Sequence, residues 1–139
     1  MIAPGRTIGI LGGGQLGRML ASAANQLGFD VHIFCPETDS PASRGARKTW
    51  NADYLDADAM REFAKSCDVV TLEFENIPVE ATDLIASCGV ALHPGPRSLA
   101  ISQDRAEEKA FLNRIGIPTA PYEVIESAAD IPPALKRVG

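Results

Sequence analysis

Three short stretches carry residue types whose spacing could do chemistry. The first is Gly12-Gly13-Gly14-Gln15-Leu16-Gly17, a G-x-G-x-x-G pattern after an apolar run and at the mouth of an amphipathic one. Gly12 and Gly14 permit a tight turn and a close backbone approach to a ligand, and Gly17 lets the following helix pack on the strand. The helix start then offers N–H groups and a partial positive charge to an anion or polar group. A Cβ at Gly14 is expected to fill space that a ligand needs, so Gly14→Val should lose binding with modest loss of fold. For a dinucleotide, an acidic residue is expected about 20 residues on, at the end of the second strand. Glu37 and Asp39 stand near that place, which keeps a nicotinamide-dependent oxidoreductase domain open. Pro36 directly after the strand and Gln15 inside the loop are unusual for such a turn.

The second stretch, Leu72-Glu73-Phe74-Glu75-Asn76-Ile77-Pro78, sets two carboxylates and an amide at the carboxyl end of an apolar strand. In an open parallel sheet that edge is where ligands bind, and these groups suit hydroxyls or an amine. If the extended backbone continues, Glu73 and Glu75 point to the same side and need a cation or amine between them. The third is Asp104-Arg105, with Glu107 and Glu108 following and Gly116-Ile117-Pro118-Thr119-Ala120-Pro121 beyond. Arg105 at a helix start could pair with phosphate oxygens or with surface carboxylates. No Ser/His/Asp grouping or positioned nucleophile accompanies them.

The elements that must position these groups alternate as in an α/β domain with a parallel sheet. Thr7–Leu11 reads as a central strand, apolar on both faces. Gln15–Leu27 reads as a helix with Leu16, Met19, Leu20, Ala23, Ala24 and Leu27 inward and Gly28 after it. Strands follow at Val31–Cys35, Ala46–Trp50, Asp68–Leu72 and within Cys88–His93. Helices are expected at Asp56–Cys67 (Ala59, Met60, Phe63 and Ala64 inward) and Val79–Ser87. Arg97–Ile115 is helical with a break near Ser102–Asp104, where Asp104 is a plausible N-cap. Tyr122–Ile125 reads as a strand and Ile131–Val138 as a helix. Nothing later is available for that last unit to pack on, so Gly139 is expected not to be the natural end of the complete protein.

Composition narrows the classes. With 139 residues, 45% hydrophobic and 22% charged, the chain is globular, and its size needs no metal or disulfide to fold. Thirteen basic against eighteen acidic residues give a net charge of −5. That argues against a general nucleic-acid binder, which needs a basic surface. No Lys or Arg lies between Lys65 and Arg97, where Asp68, Glu73, Glu75, Glu80 and Asp83 all fall. Cys35, Cys67 and Cys88 are widely spaced with no CxxC, and read as buried thiols of a reducing cytosol. Met1–Arg6 has no apolar h-region or small-residue cleavage site, so no signal peptide is expected, and no apolar run approaches the roughly 18 residues that span a bilayer.

Together, Gly12-Gly13-Gly14-Gln15-Leu16-Gly17-Arg18-Met19-Leu20, Thr71-Leu72-Glu73-Phe74-Glu75-Asn76-Ile77-Pro78, and Gln103-Asp104-Arg105 with Gly116–Pro121 resemble the N-terminal part of the N5-carboxyaminoimidazole ribonucleotide synthetases, ATP-grasp ligases of purine biosynthesis. The resemblance covers essentially the whole chain. It implies a Rossmann-like pre-ATP-grasp domain over residues 1–100, with an open parallel sheet flanked by helices, and the start of an ATP-grasp domain over residues 101–139. It implies a reaction joining bicarbonate to the amine of 5-aminoimidazole ribonucleotide (AIR) with ATP and Mg2+, through carboxyphosphate. Gln15 and Leu16 of the loop, beside Gly14, would meet the ribonucleotide, with Glu73 and Asn76 as further contacts. Arg105 would touch ATP. Other ATP contacts and the magnesium ligands are expected after residue 139, which would leave the chain inert alone. A cytoplasmic homodimer without nucleic-acid or membrane partners is the implied setting. A sibling glycinamide ribonucleotide ligase would be expected to carry Glu where Gln15 stands.

Overall fold

Runs of aliphatic residues too short for helices become the strands of one parallel sheet. The computed structural model describes residues 2–138; Met1 and Gly139, the latter expected to be an interior position of a longer protein, lie outside the described residues. The chain divides into two compact units, Met1–Ala100 and Ile101–Gly139. In the first, the strands are β1 Thr7–Leu11, β2 Asp30–Phe34, β3 Lys48–Trp50, β4 Val69–Leu72 and β5 Ala91–Leu92. They lie in the order β3-β2-β1-β4-β5, all parallel. The chain builds outward from β1 through β2 to β3, then restarts on the other side with β4. The β1–β4 seam is therefore the switch point, where two post-strand loops diverge and leave a crevice.

The strand alternation sorts the core into two faces. Leu11, Phe34, Trp50, Val70 and Leu92 point to one side, joined by Met60, Phe63 and Ala64 of α2 (Ala57–Lys65), Ala81 and Ile85 of α3 (Val79–Ser87), and Leu99 of α4 (Pro96–Gln103). Ile10, Val31, Ile33 and Cys35 point to the other, against Ala21 and Ala24 of α1 (Gln15–Gln26) and Ala42 of a 3-10 turn at Pro41–Gly45. Asp56 caps α2, accepting from the Asp58 and Ala59 amides at 3.2 and 3.1 Å.

The expected inward face of α1 is overturned. Leu16, Met19, Leu20, Ala23 and Leu27 are exposed, and Gly17, Ala21 and Ala24 form the packed face. Close approach decides this. The ideal Cβ position of Gly17 lies 2.9 Å from the Gly12 carbonyl oxygen and 3.2 Å from Ala42 Cβ, so only the smallest side chains fit that side. Leucines supply more apolar area but cannot enter so narrow a gap.

Other departures are smaller. β3 begins at Lys48, two residues later than expected, and β2 takes in Asp30 rather than Cys35. Cys35 is buried, while Cys67 and Cys88 are half-buried, and all three are free thiols. Burial pushes the Cys67 thiol up to about 11; its Sγ sits 3.3 Å from the Phe63 carbonyl oxygen.

In the second unit, α5 (Arg105–Arg114) starts on Asp104, whose carboxylate accepts from the Ala106 and Glu107 amides at 2.8 and 3.1 Å. The expected break between helices is this cap. The strand expected at Tyr122–Ile125 is absent: no ladder partner pairs with it among the described residues, and a lone extended segment leaves its backbone groups to water. Glu123 nonetheless takes a two-pronged ion pair from Arg137 of α6 (Ile131–Val138), at 2.6 and 3.0 Å.

Gly9, inside β1, sits under α2: a Cβ there would lie 2.7 Å from both Cys67 Sγ and Phe63 Cζ. Gly9→Ala is expected to cost about 1–3 kcal/mol by overpacking, read as a lower urea midpoint at unchanged slope. The raised Cys67 thiol predicts that iodoacetamide at pH 8 labels it on the order of a hundredfold more slowly in the native chain than in urea, followed by mass spectrometry of its peptide.

Candidate functional site

The glycine loop turns because β1 cannot run further. The Gly12 amide donates to the Phe34 carbonyl at 2.9 Å, closing the ladder, and Gly12 then takes φ +117°, a left-handed conformation that favours glycine. Gly14 is the N-cap of α1, with extended backbone at φ −77° and no side chain to cap the helix. The first turn of α1 holds no acidic residue. The anion comes from across the switch point. The Glu73 amide donates to the Leu11 carbonyl at 2.9 Å, one register step beyond β4. From there the Glu73 side chain enters the loop, and its Oε2 accepts the Gly14 N–H at 2.9 Å.

The motif glycines are explained by this one carboxylate. A Cβ on Gly12 would lie 2.7 Å from Glu73 Cβ. A Cβ on Gly14 would collide with Glu73 Oε1, and one on Gly17 with Oε2. Gly13, the variable position of the pattern, is closed off separately by Cys35 Sγ at 2.6 Å and Ser40 Cβ at 2.7 Å. The space expected to receive a ligand beside Gly14 thus holds the protein's own side chain. Gly14→Val would strike Glu73 first, which corrects the expected reason for its effect.

Beside this contact opens a cleft of about 310 Å³, lined by Gly13, Gly14, Glu37, Ser40, Pro41, Tyr54, Glu73 and Phe74. No Lys or Arg is among its walls. Burial pushes the Tyr54 phenol well above its ordinary range, and Glu37, Cys35 and Glu73 push it further, so it stays protonated as a donor. Burial likewise raises the Cys35 thiol, partly offset by Ser40. Among the described residues no group of three or more His, Cys, Asp or Glu could hold a metal ion.

The structure joins Gly14 and Glu73 directly. Gln15 and Leu16 are exposed on the first turn of α1 and do not line the cleft. Asn76 is exposed, also outside it, because the backbone bends from Glu73 to Glu75 instead of continuing the strand. Glu73 and Glu75 therefore do not share one side as an extended chain would place them: Glu73 is half-buried in the loop and Glu75 exposed. Arg105 belongs to the second unit, at the first position of α5, and pairs with Glu108 of its own helix. The reading by residue type missed Ser40, Tyr54 and Phe74 as cleft walls. Their signal was topological: in an all-parallel sheet the loops after β2, β3 and β4 all open at the edge that carries the glycine loop.

The negative φ of Gly14 admits alanine, so any cost of Gly14→Ala comes from Glu73. Gly14→Ala and Glu73→Ala are each expected to destabilise. In the double variant the losses should fail to add by about 1–2 kcal/mol, measured by urea unfolding of all four proteins. Additive losses would mean that the contact contributes nothing.

Known proteins resemble this chain in sequence and in fold. The family model of the ribonucleotide synthetase preATP-grasp domain matches residues 5–103. A bifunctional purine synthesis protein purC/E of Dictyostelium discoideum is 48% identical over 100% of this chain, which spans 14% of that protein. An N5-carboxyaminoimidazole ribonucleotide synthase of Brucella melitensis biotype 1 is 46% identical over 99% of the chain, which spans 38% of it. An ADP complex of an N5-carboxyaminoimidazole ribonucleotide synthetase superposes with a TM-score of 0.91 at 36% identity, covering 98% of this chain and 36% of that one. The Aspergillus clavatus synthase in complex with ADP and 5-aminoimidazole ribonucleotide superposes at 0.82 with 33% identity, covering 97% and 36%. Kinship over the glycine loop, β4 and all that lies between them is shown at the level of sequence and of fold alike, and the chain belongs to the ribonucleotide synthetase preATP-grasp domain family.

Proposed function

We propose that this chain is the ribonucleotide-binding N-terminal part of an N5-carboxyaminoimidazole ribonucleotide synthetase, with 5-aminoimidazole ribonucleotide as the ligand of the cleft. One observation carries the reading: the Glu73 carboxylate already takes the Gly14 amide at the start of α1. In a dinucleotide-binding turn the pyrophosphate occupies that seat. Here a pyrophosphate would meet a fixed negative charge instead, which argues against the nicotinamide reading although Glu37 stands where a ribose-binding acid would. An amine or hydroxyl donor, by contrast, finds carboxylate acceptors on the same walls.

In the proposed reaction ATP phosphorylates bicarbonate, and the amine of the ribonucleotide attacks the resulting carboxyphosphate, losing a proton and expelling phosphate. Magnesium would neutralise phosphate charge during the transfer; no residue of this chain is assigned to it. Glu73, fixed by the Gly14 amide, would hold the ribonucleotide's donor groups, with Gly14 as a backbone wall of the cleft and Gln15, Leu16 and Asn76 as further contacts. Arg105, at the start of α5, would give its guanidinium to ATP after leaving Glu108. Residues 1–100 would form the substrate-binding domain and residues 101–139 the opening of the ATP-grasp portion. Binding is the role of this chain by itself, and AIR-dependent ATP hydrolysis is expected only with the further residues of a full-length enzyme. We propose a cytoplasmic homodimer as its setting; no helix among the described residues is long and apolar enough to cross a membrane.

Isothermal titration of the chain with AIR and with NADH separates the readings. Heat is expected with AIR and none with NADH. Saturable heat with NADH alone would overturn the assignment.

A further inference from the structure

We propose that the cleft sorts the two ends of its ribonucleotide, with Glu37 and Tyr54 reading the base-and-ribose end inside while the phosphate stays outside. The inference rests on the ribonucleotide reading of the site and adds two recognition residues and an orientation to it. The walls carry two carboxylates, a phenol and a hydroxyl, and no cation. A phosphate dianion in this space would face Glu37 and Glu73 with nothing to neutralise it. The amine and ribose hydroxyls are donors, and carboxylate oxygens accept from them. Glu73 has committed Oε2 to Gly14, and the residue lines the same cleft.

Tyr54 is the less obvious half of the pair. Its ring is anchored by Phe34, 5.9 Å away between centroids. Its hydroxyl has no hydrogen-bond partner among the described residues. A half-buried phenol with an idle hydroxyl on a cleft is poised to donate to a ring nitrogen or ribose oxygen. Glu37 is held in place through its backbone: its carbonyl accepts from Asn51 Nδ2 at 2.6 Å and from Cys35 Sγ at 3.4 Å. Glu37 is exposed and lines the cleft, and its carboxylate takes part in no hydrogen bond or ion pair among the described residues. Phe74, also part of the lining, offers an apolar surface on which a flat five-membered ring can lie.

The test titrates AIR, its phosphate-free riboside and inorganic phosphate into the parent chain, Glu37→Gln and Tyr54→Phe. The riboside is expected to bind within about threefold of AIR, since the walls offer the phosphate nothing. Inorganic phosphate should neither bind nor displace AIR. Glu37→Gln and Tyr54→Phe should each weaken both organic ligands by about tenfold, the scale of one lost hydrogen bond. Tyr54→Phe keeps the ring packed on Phe34, and unchanged amide spectra outside the cleft would show both variants folded. AIR binding that vanishes in the riboside, or that ignores both substitutions, overturns the orientation and leaves the ribonucleotide reading standing. Failure of the parent chain to bind AIR at all overturns both.

Discussion

One hydrogen bond, from the Gly14 amide to the Glu73 carboxylate, organises the carboxyl edge of this sheet. It joins loops that are 59 residues apart in the chain and adjacent in space because β1 and β4 pair at the switch point. A helix start normally draws its negative charge from its own first turn or from a bound anion. This one draws it from a neighbouring strand. The consequence reaches outward: Gly12, Gly14 and Gly17 must lack side chains to admit the carboxylate, and the cleft beside it inherits a negative wall.

The same crowding shapes α1. A helix that starts on a loop folded around a carboxylate is held close to the 3-10 turn at Pro41–Gly45, where the Ala42 amide donates to the Gly13 carbonyl at 2.9 Å. Close approach admits Gly17, Ala21 and Ala24 and leaves the leucines outside. On the opposite face of the sheet there is room for large side chains. Trp50 and Phe34 each meet the Phe63 ring edge-on, with centroids 5.5 and 5.4 Å apart. The two faces divide the labour: large aliphatic and aromatic side chains fill one, and small residues of α1 and the 3-10 turn allow the close approach around the loop.

Charge follows the same division. The cleft has no basic wall, and the exposed guanidiniums of Arg6 and Arg47 pair with Asp68 and Asp30 at the opposite, amino-terminal edge of the sheet. A ligand approaching the carboxyl edge therefore meets acceptors and a protonated phenol, a polarity suited to donor-rich groups and unsuited to phosphate.

Much of this was legible in the residues alone. The order of strands and helices in the first unit, the β1 span, α3 at Val79–Ser87 and the Asp104 cap follow from local periodicity and capping chemistry, which act over a few residues, whereas the strand expected at Tyr122–Ile125 has no partner to pair with among the described residues. So did the pairing of interest, since a glycine loop after one parallel strand and an acidic patch after another must share an edge. What periodicity could not show is which side of α1 packs, because its apolar stripe and its small-residue stripe both repeat at helical spacing and only the distance to the neighbouring backbone chooses between them. Nor could it show that the glycine loop closes on Glu73, that Asn76 turns away, or that Tyr54 arrives from β3. Those are decided by contacts between distant segments, where the available space and the nearest unpaired charge, not the local pattern, determine each partner.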